Sequence, residues 1–439
     1  MKFLLYLYKQ FQFYNAGYPV NPRKLFLGLI KSQYWDDDQY HSHQVEQLNR
    51  LLKSAKESSE FYENKFSNIT LPINSIDDFF EKASTINKSE IIKNTDRIST
   101  CNYSTGFKHT TSGSSGDPLS LNISPLAEAY RKASVLRFQN WWGIKQTDKS
   151  VLIWGRKTTP HQNNTWLNKI KAQLRNRYDI NVFELNERSI FTFFSDIEEM
   201  RPVYFRGYKS AIIHFAELME KSKLKFHKTK LKVVIVTSEI LLDTEREYLK
   251  KIYGCAVANE YGAAEAGLFA YECPNGSMHI NEECVLISTN KNNELLVTEL
   301  FNDFTPLIQY KIGDSIKISD EKCECGRTSR IIETIEGRSS DYVVKPDGTK
   351  LSQYIFYYIV KELDDIGFAE SILKYKIVQK ANKFSFYIVR GKRYKPEILD
   401  YISKRITQEI GNEIFVDFNI VDVIEREKSG KLRFFVRER

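Results

Sequence analysis

The chain has 439 residues, 42% hydrophobic and 27% charged, with a formal net charge of +8 at pH 7. That length exceeds what one hydrophobic core normally fills, so two or more domains are expected. The mild basic excess suits a polyanionic ligand, and no zinc-finger, RNA-recognition or helix-turn-helix spacing marks a nucleic-acid binder.

At the start, the apolar run of residues 1–9 stops at Lys9 with no small-x-small cleavage site, and nowhere do apolar residues reach the roughly 20 of a membrane span. A cytoplasmic protein is expected. Phe3, Tyr6, Tyr8, Phe11, Phe13 and Tyr14 stand near Lys2, Lys9, Arg23 and Lys24. Residues 1–40 therefore read as a leading helix on the main domain, with a peripheral contact at the inner face of the membrane as the alternative. Up to about residue 100, amphipathic helical stretches alternate with polar breaks; in 44–57, Val45, Leu48, Leu51 and Leu52 share one face.

Next comes Thr110-Thr111-Ser112-Gly113-Ser114-Ser115-Gly116-Asp117-Pro118, preceded by Lys108 and His109. Such a run neither forms a helix nor packs a core, and its hydroxyls and N–H groups can converge on an anion. It is a phosphate cradle in composition, or else a solvated linker. It is not a Walker loop, because no lysine closes it.

Beyond it, Ser150–Trp154 and 232–236 read as buried strands with a helix over 211–221 between them, which argues for an α/β layered domain with largely parallel sheets. Strands follow at 294–300 and 307–318. After Gly337 the texture changes to helix 354–363, strands 375–379 and 384–390, helix 396–410 and strand 415–423. That α-β-β-α-β order suggests a small α+β domain of split-βαβ type. Domains are thus expected over 1–338 and 339–439.

Six cysteines in a chain with no export signal argue against a disulfide framework. Cys273-x₅-His279 and Cys323-x-Cys325 supply the three thiols and one imidazole that suit a closed tetrahedral zinc site, holding two turns together. Cys101, Cys255 and Cys284 read as core positions.

Several pieces recur in a telling order: the serine–glycine run, Arg206-Gly207-Tyr208-Lys209-Ser210, Thr237-Ser238-Glu239, Asn259-Glu260-Tyr261-Gly262-Ala263-Ala264-Glu265, Tyr310-Lys311-Ile312-Gly313-Asp314, Gly337-Arg338, and Ser429-Gly430-Lys431. Over roughly residues 40–439 they resemble the adenylate-forming superfamily, and within it the phenylacetate–coenzyme A ligase branch with its capsule-biosynthesis (CapK-like) members. Some members of that branch bind a structural zinc at similar Cys/His pairs. The resemblance implies a large α/β adenylation domain followed by a small mobile α+β domain. It also implies an acid–thiol ligase that activates a small carboxylic acid with ATP and Mg²⁺, releases pyrophosphate, and passes the acyl group to coenzyme A. An amine, carrier thiol or sugar in surface-polysaccharide assembly is the alternative acceptor. A catalytically silent scaffold is the alternative of another class.

Carried over residue by residue, the resemblance assigns the phosphates to Thr110, Thr111, Ser112, Gly113, Ser114, Ser115 and Gly116, although Leu119 stands where a lysine often follows. Adenine and ribose fall to Ser238, Glu239, Tyr261, Gly262, Asp314 and Arg338. Glu265 is the Mg²⁺ ligand, a hard oxygen of the kind that ion takes. Lys431, on a glycine-flexed loop, is the cation that neutralises charge as pyrophosphate leaves. Tyr208, Ser210, Ala263 and Ala264 line the acyl pocket, with Lys209 either meeting the substrate carboxylate or facing water. Where the family pivots its small domain on an acidic pair, this chain has Ser340-Asp341, which alters the hinge by one residue.

Overall fold

A computed structural model describes residues 18–99, 106–110, 119–155, 176–319, 321–338, 342–351, 353–427 and 432–438. The expectations placed on 1–17, Cys101, 111–118, Ser340-Asp341 and Lys431 lie outside these residues, as do the side chains of Thr110 and Arg338. The chain divides into a first unit, Met1–Ile312 with Ile316–Ile335, and a second, Gly313–Ser315 with Glu336–Arg439.

The first unit begins with helices Pro22–Ser32, Asp37–Ser58, Glu60–Lys65, Ile76–Lys82, Lys88–Lys93 and Thr95–Ile98. The long one starts with a capping box: the Asp36 carboxylate takes the Gln39 N–H while the Gln39 side chain returns to the Asp36 N–H. Its inward face carries Leu48, Leu51 and Leu52, all fully buried, with Val45 packed beside them. Strands β1 (Phe107–Thr110) and β2 (Ser120–Ile123), which lie before and after residues 111–118 in sequence, pair antiparallel with Thr110 opposite Ser120. The helix Pro125–Trp141 follows, capped by Ser124, whose hydroxyl accepts the Ala127 N–H, and opened by a proline at a position where no N–H is needed.

An eleven-stranded sheet follows: β3 (Ser150–Trp154), β4 (Arg177–Asn181), β5 (Tyr204–Tyr208), β6 (Val233–Thr237), β7 (Ala256–Ala263), β8 (Gly267–Glu272), β9 (Met278–Ile280), β10 (Val285–Thr289), β11 (Glu294–Glu299), β12 (Tyr310–Ser319) and β13 (Ile331–Arg338), all in the first unit except Gly313–Ser315 of β12 and the last residues of β13 from Glu336. Its order is β10-β11-β12-β13-β9-β8-β7-β6-β5-β3-β4. The five strands β4-β3-β5-β6-β7 run parallel. From β7 the sheet continues antiparallel into β8 and β9. Helices Lys209–Lys221 and Asp243–Tyr253 supply the crossovers after β5 and β6. Strand β6 explains why Val-Val-Ile-Val-Thr is apolar throughout: Val234 and Val236 enter one core with Phe205, Ile212 and Phe215, while Val233 and Ile235 enter another with Phe138 and Ala258. Both faces of a central parallel strand are covered, so alternation disappears.

The second unit holds β14 (Val343–Val344), β15 (Lys350–Leu351), helix Tyr354–Asp365, β16 (Ile372–Lys380), β17 (Lys383–Arg390), helix Glu397–Ile410, β18 (Phe415–Ile420) and β19 (Phe435–Glu438). Its sheet runs β18-β17-β16-β19, antiparallel at the centre and parallel at both flanks. Ile398, Ile402, Ile406 and Ile410 form one buried helical stripe against Phe384, Phe386 and Ile388. The anticipated α-β-β-α-β order is present, and β19 extends it. Among the described residues, no helix is long and apolar enough to cross a membrane.

Candidate functional site

Three adjacent parallel strands deliver nine of the candidate residues to one edge. Tyr208 of β5 lies beside Thr237 of β6, and Thr237 beside Glu260 of β7. Tyr208 and Ser210, Ser238 and Glu239, and the run from Tyr261 to Glu265 therefore all leave the sheet at its carboxyl end. In open parallel sheets ligands bind at that edge, where loops and helix N-termini converge.

Ser238 takes φ 68, a left-handed conformation that costs a non-glycine residue about 1 kcal/mol or more. After this bend, the Glu239 carboxylate accepts the Ser210 N–H at 2.6 Å and the Ser210 hydroxyl at 2.9 Å. It thereby satisfies donors at the start of helix Lys209–Lys221, whose own N-cap residue makes no side-chain hydrogen bond. The Lys209 ammonium is 2.6 Å from Glu245, so the protein itself supplies its counter-ion.

Tyr208 is buried, with its ring centroid 4.0 Å from that of Trp154. Two residues earlier, Arg206 grips Glu260 with Nε at 3.0 and 3.1 Å from the two oxygens and Nη2 at 2.5 Å. The Glu260 side chain is 1% exposed, so this pair is a fixed feature of the floor at the strand ends. The sequence motifs contained both residues without assigning either a role; a charged residue at an alternate position of an apolar strand was the available signal.

Tyr261 is buried and packs edge-on against Phe269 at 5.4 Å. The register shifts between Tyr261 and Gly262, where β8 comes very close: a Cβ on Gly262 would stand 2.4 Å from the Gly267 carbonyl oxygen and 2.7 Å from the Leu268 Cα. Only glycine permits this approach. Ala263 then pairs with Gly267, leaving Ala264 exposed and Glu265 half-buried on the turn between them.

Arg131, on helix Pro125–Trp141, holds that turn. Its Nη2 donates to the Glu265 carbonyl oxygen at 2.9 Å, while Nε and Nη2 meet the two Glu299 carboxylate oxygens at 2.7 and 2.9 Å. His109, the penultimate residue of β1, bonds the Ala264 carbonyl, and its Nε2 lies 3.7 Å from Glu128. Burial and the Arg131 charge push the imidazole below its ordinary pKa, against an upward pull from Glu128 and the Ala264 carbonyl. Sequence reasoning missed Arg131 and Glu299, which are 168 positions apart and carry no local motif.

Asp314 is half-buried in β12, directly after Gly313 at φ 87. Asp314, Arg338 and Lys431 fall within the second unit, while the other candidates belong to the first.

A separate cluster joins Cys273, His279, Cys323 and Cys325, whose ligand atoms all lie within 4.8 Å of one another. Two tight turns build it. Gly276, at φ 87, returns its N–H to the Cys273 carbonyl at 2.9 Å, and Gly326, at φ 81, does the same for Cys323 at 3.2 Å. The Cys273 and Cys323 sulfurs are 3.7 Å apart, and Cys325 Sγ is 3.2 Å from His279 Nε2. A tetrahedral zinc with its usual bond lengths sets sulfur–sulfur edges at about 3.8 Å and sulfur–nitrogen edges at about 3.5 Å. The donor set fits that ion.

The second layer fits as well. His279 Nδ1 faces the Ser329 carbonyl at 3.3 Å, which leaves Nε2 to turn its lone pair toward the thiols. Burial lowers the His279 pKa to about 4 and raises that of Cys273 to about 12. Against the same upward push of burial, hydrogen bonds from the Ser277 hydroxyl and the Cys325 N–H bring the Cys323 thiol below its ordinary value. Cys255 and Cys284 lie apart from the cluster, half-buried and buried respectively.

Comparison with solved structures defines the class of fold. 2-Hydroxyisobutyryl-CoA ligase, in the postadenylation state in complex with R3-HIB-AMP, superposes with a TM-score of 0.73 at 16% identity, covering 93% of this chain and 92% of that one. The same enzyme with 2-HIB-AMP and CoA, in the thioesterification state, gives 0.60 at 17% identity over 93% and 92%. The fold is that of the adenylate-forming CoA ligases. More particularly, residues 343–438 match the model of the CapK C-terminal domain. Along 438 residues the chain is 23% identical to Protein CapK of Staphylococcus aureus, covering 93% of this chain and 95% of that protein.

Proposed function

We propose that the protein is an adenylate-forming acid–thiol ligase. A carboxylate oxygen of a small acid attacks the α-phosphorus of ATP, the bond to the bridging oxygen breaks, and pyrophosphate leaves. The thiol of coenzyme A then attacks the acyl carbon and expels AMP. The observation that carries this reading is the convergence, at the carboxyl ends of β5, β6 and β7, of Tyr208, Ser238 and the Tyr261–Glu265 turn.

In this reading the hydroxyls and N–H groups of 110–116 receive the β- and γ-phosphates. The Glu265 carboxylate fits one Mg²⁺ ligand position, since that ion takes one or two protein carboxylates and completes its shell with phosphate oxygens and water; when bound, it offsets charge on the phosphates. Ser238, Tyr261 and Gly262 border the adenine, Asp314 and Arg338 serve the ribose, and Lys431 offsets charge on the departing pyrophosphate. Tyr208, Ser210, Ala263 and Ala264 border the acyl group. Because Glu239 and Lys209 are already engaged with Ser210 and Glu245, both act here as supports for the pocket. Cys273, His279, Cys323 and Cys325 hold a structural zinc.

The second reading changes only the acceptor, to an amine, carrier thiol or sugar. Its support is the likeness to Protein CapK along nearly the whole chain.

The test is pyrophosphate release from ATP and Mg²⁺ with a panel of aryl, fatty and amino acids, with and without CoA, beside a Lys431→Ala variant. Release with one acid class that falls at least about a hundredfold in the variant is the expected result for an oxyanion-stabilising cation. Absence of release with every acid would sink the reading. Release that is indifferent to CoA would favour the second acceptor.

A further inference from the structure

At the opposite end of the parallel strands lies a feature that the ligase reading leaves unused. The connection from helix Lys209–Lys221 to β6 reads Lys221-Ser222-Lys223-Leu224-Lys225-Phe226-His227-Lys228-Thr229-Lys230-Leu231-Lys232, six lysines without one acid. Its side chains sort by character. Leu224, Phe226 and Leu231 pack inward on the core of the sheet, and Phe226 stacks on Phe194 at 5.1 Å. All six lysines and His227 are exposed.

The backbone beneath them is fixed. The Glu198 carboxylate accepts the N–H groups of His227, Lys228 and Thr229 at 3.1, 2.9 and 3.0 Å. That carboxylate is therefore engaged with the main chain and with none of the lysine ammonium groups. Lys221 pairs with Glu187 at 2.5 Å and Lys232 bonds the Gly143 carbonyl. Among the described residues, Lys223, Lys225, Lys228 and Lys230 have no ion-pair partner.

More positive charge borders them. The Lys232 N–H bonds the Val203 carbonyl and the Val203 N–H bonds the Lys149 carbonyl. Exposed Lys149 and Arg201 thus sit at the same amino-terminal end of β3, β5 and β6.

We propose that this lysine ridge docks the protein on an anionic lipid surface. An ordinary solvated face intersperses both signs of charge, whereas here Lys223, Lys225, Lys228 and Lys230 stand close together without ion-pair partners on an anchored main chain and bear the cost of self-repulsion. Nucleic-acid grooves interleave ring or guanidinium faces on which bases stack; here the one phenyl ring in the stretch is turned inward, no arginine is present, and the exposed positions are lysines and a single histidine. Mobile ammonium groups without base-reading partners match a sheet of headgroup charge, where each contributes about fivefold to binding. The strand ends that carry Tyr208, Ser238 and Tyr261 point away from the docked edge, so docking leaves the site accessible.

The experiment is co-sedimentation of the full chain with vesicles of phosphatidylcholine alone and with a third phosphatidylglycerol, at low and high salt. It compares wild type, a Lys223→Gln/Lys225→Gln/Lys228→Gln/Lys230→Gln variant, and a control in which exposed Lys53, Lys291, Lys392 and Lys404 become glutamine. The expected result is binding to the anionic vesicles only, weakened by salt, and lost by about tenfold or more in the ridge variant but not in the control. Pyrophosphate release is unchanged in the ridge variant, which separates this inference from the ligase assignment. Equal loss in both variants, equal binding to neutral vesicles, or a ridge-dependent preference for duplex DNA over anionic vesicles would each overturn the proposal.

Discussion

The guanidinium of Arg131 joins two parts of the first unit that are far apart in sequence: it holds the Glu299 carboxylate with two hydrogen bonds and the carbonyl of Glu265 with a third. The Arg131 and Glu299 side chains are 13% and 5% exposed, so the pair is sheltered from water. Its consequence is positional. The turn that carries Glu265 is held by a residue from helix Pro125–Trp141.

Replacing Arg131 by alanine leaves Glu299 buried and unpaired, which costs about 3–5 kcal/mol and is expected to lower the melting temperature sharply. Arg131→Lys keeps a cation but lacks the fork needed to serve Glu299 and Glu265 together. That variant should fold, release pyrophosphate, and need about fivefold or more Mg²⁺ for half-maximal rate, since a loosened turn no longer orders the ligand. Unchanged Mg²⁺ dependence in a folded Arg131→Lys protein would remove the positioning role.

The Cys/His cluster predicts one zinc per chain by elemental analysis, with Cys273→Ser, Cys323→Ser and Cys325→Ser each losing it. Removal by a strong chelator should lower the melting temperature, because binding energy at a structural site is folding energy. The pH dependence has a definite sign. His279, with its pKa lowered to about 4, stays neutral down to about that pH, whereas thiols must give up their protons to bind. Retention of the metal therefore weakens as pH falls, through proton uptake at the sulfurs, and a His279 titration contributes only near pH 4. Zinc release followed with a chromogenic chelator between pH 8 and 4 tests this; release that strengthens with rising pH would contradict the assignment.

Much of this was legible in the sequence because it is locally encoded. Strand β6 announced itself by five apolar or β-branched residues in a row, and helix Glu397–Ile410 by isoleucines four apart. The four zinc-type ligands stood out because cysteine and histidine near glycine turns have few other uses. What escaped was long-range or sign-neutral. Arg131 and Glu299 meet only because a helix crosses the sheet. Helix Pro125–Trp141 buries Glu128, Ser134 and Arg137 beside its alanines, so its apolar period is interrupted by residues whose partners come from elsewhere. Arg137, for example, finds Glu283 and Asn281 at 2.6 Å each. The turn at Tyr261–Glu265 was visible as a motif, but the near-contact of β7 and β8 that explains Gly262 is a tertiary fact.

Two glycines make that fact measurable. At Gly262 an added methyl meets backbone atoms at 2.4 and 2.7 Å, and backbone does not rotate away. Gly262→Ala should destabilise by about 1–3 kcal/mol and depress pyrophosphate release with it. Gly28, in helix Pro22–Ser32, has nothing within 4 Å of its would-be Cβ. Gly28→Ala should stabilise by about 0.5–1 kcal/mol through helix propensity alone. Paired denaturant titrations check both signs in one experiment.

The Glu239 carboxylate offers the sharpest distinction between a ligand contact and a support. Its two oxygens meet Ser210 N–H and Oγ, and Ser210 opens the helix beneath the candidate acyl pocket. Removing that cap in Glu239→Ala should cost about 1–2 kcal/mol of stability and weaken acid binding, because Ser210 loses its anchor. Nucleotide affinity should stay within about twofold, the size of change left when no direct contact is lost. Calorimetry with a non-hydrolysable ATP analogue, read beside a thermal melt, separates the cases. A tenfold loss of nucleotide affinity with no change in melting temperature would place Glu239 against the nucleotide. Lost stability with intact nucleotide binding would make it the capping residue of helix Lys209–Lys221, acting on the reaction only through Ser210.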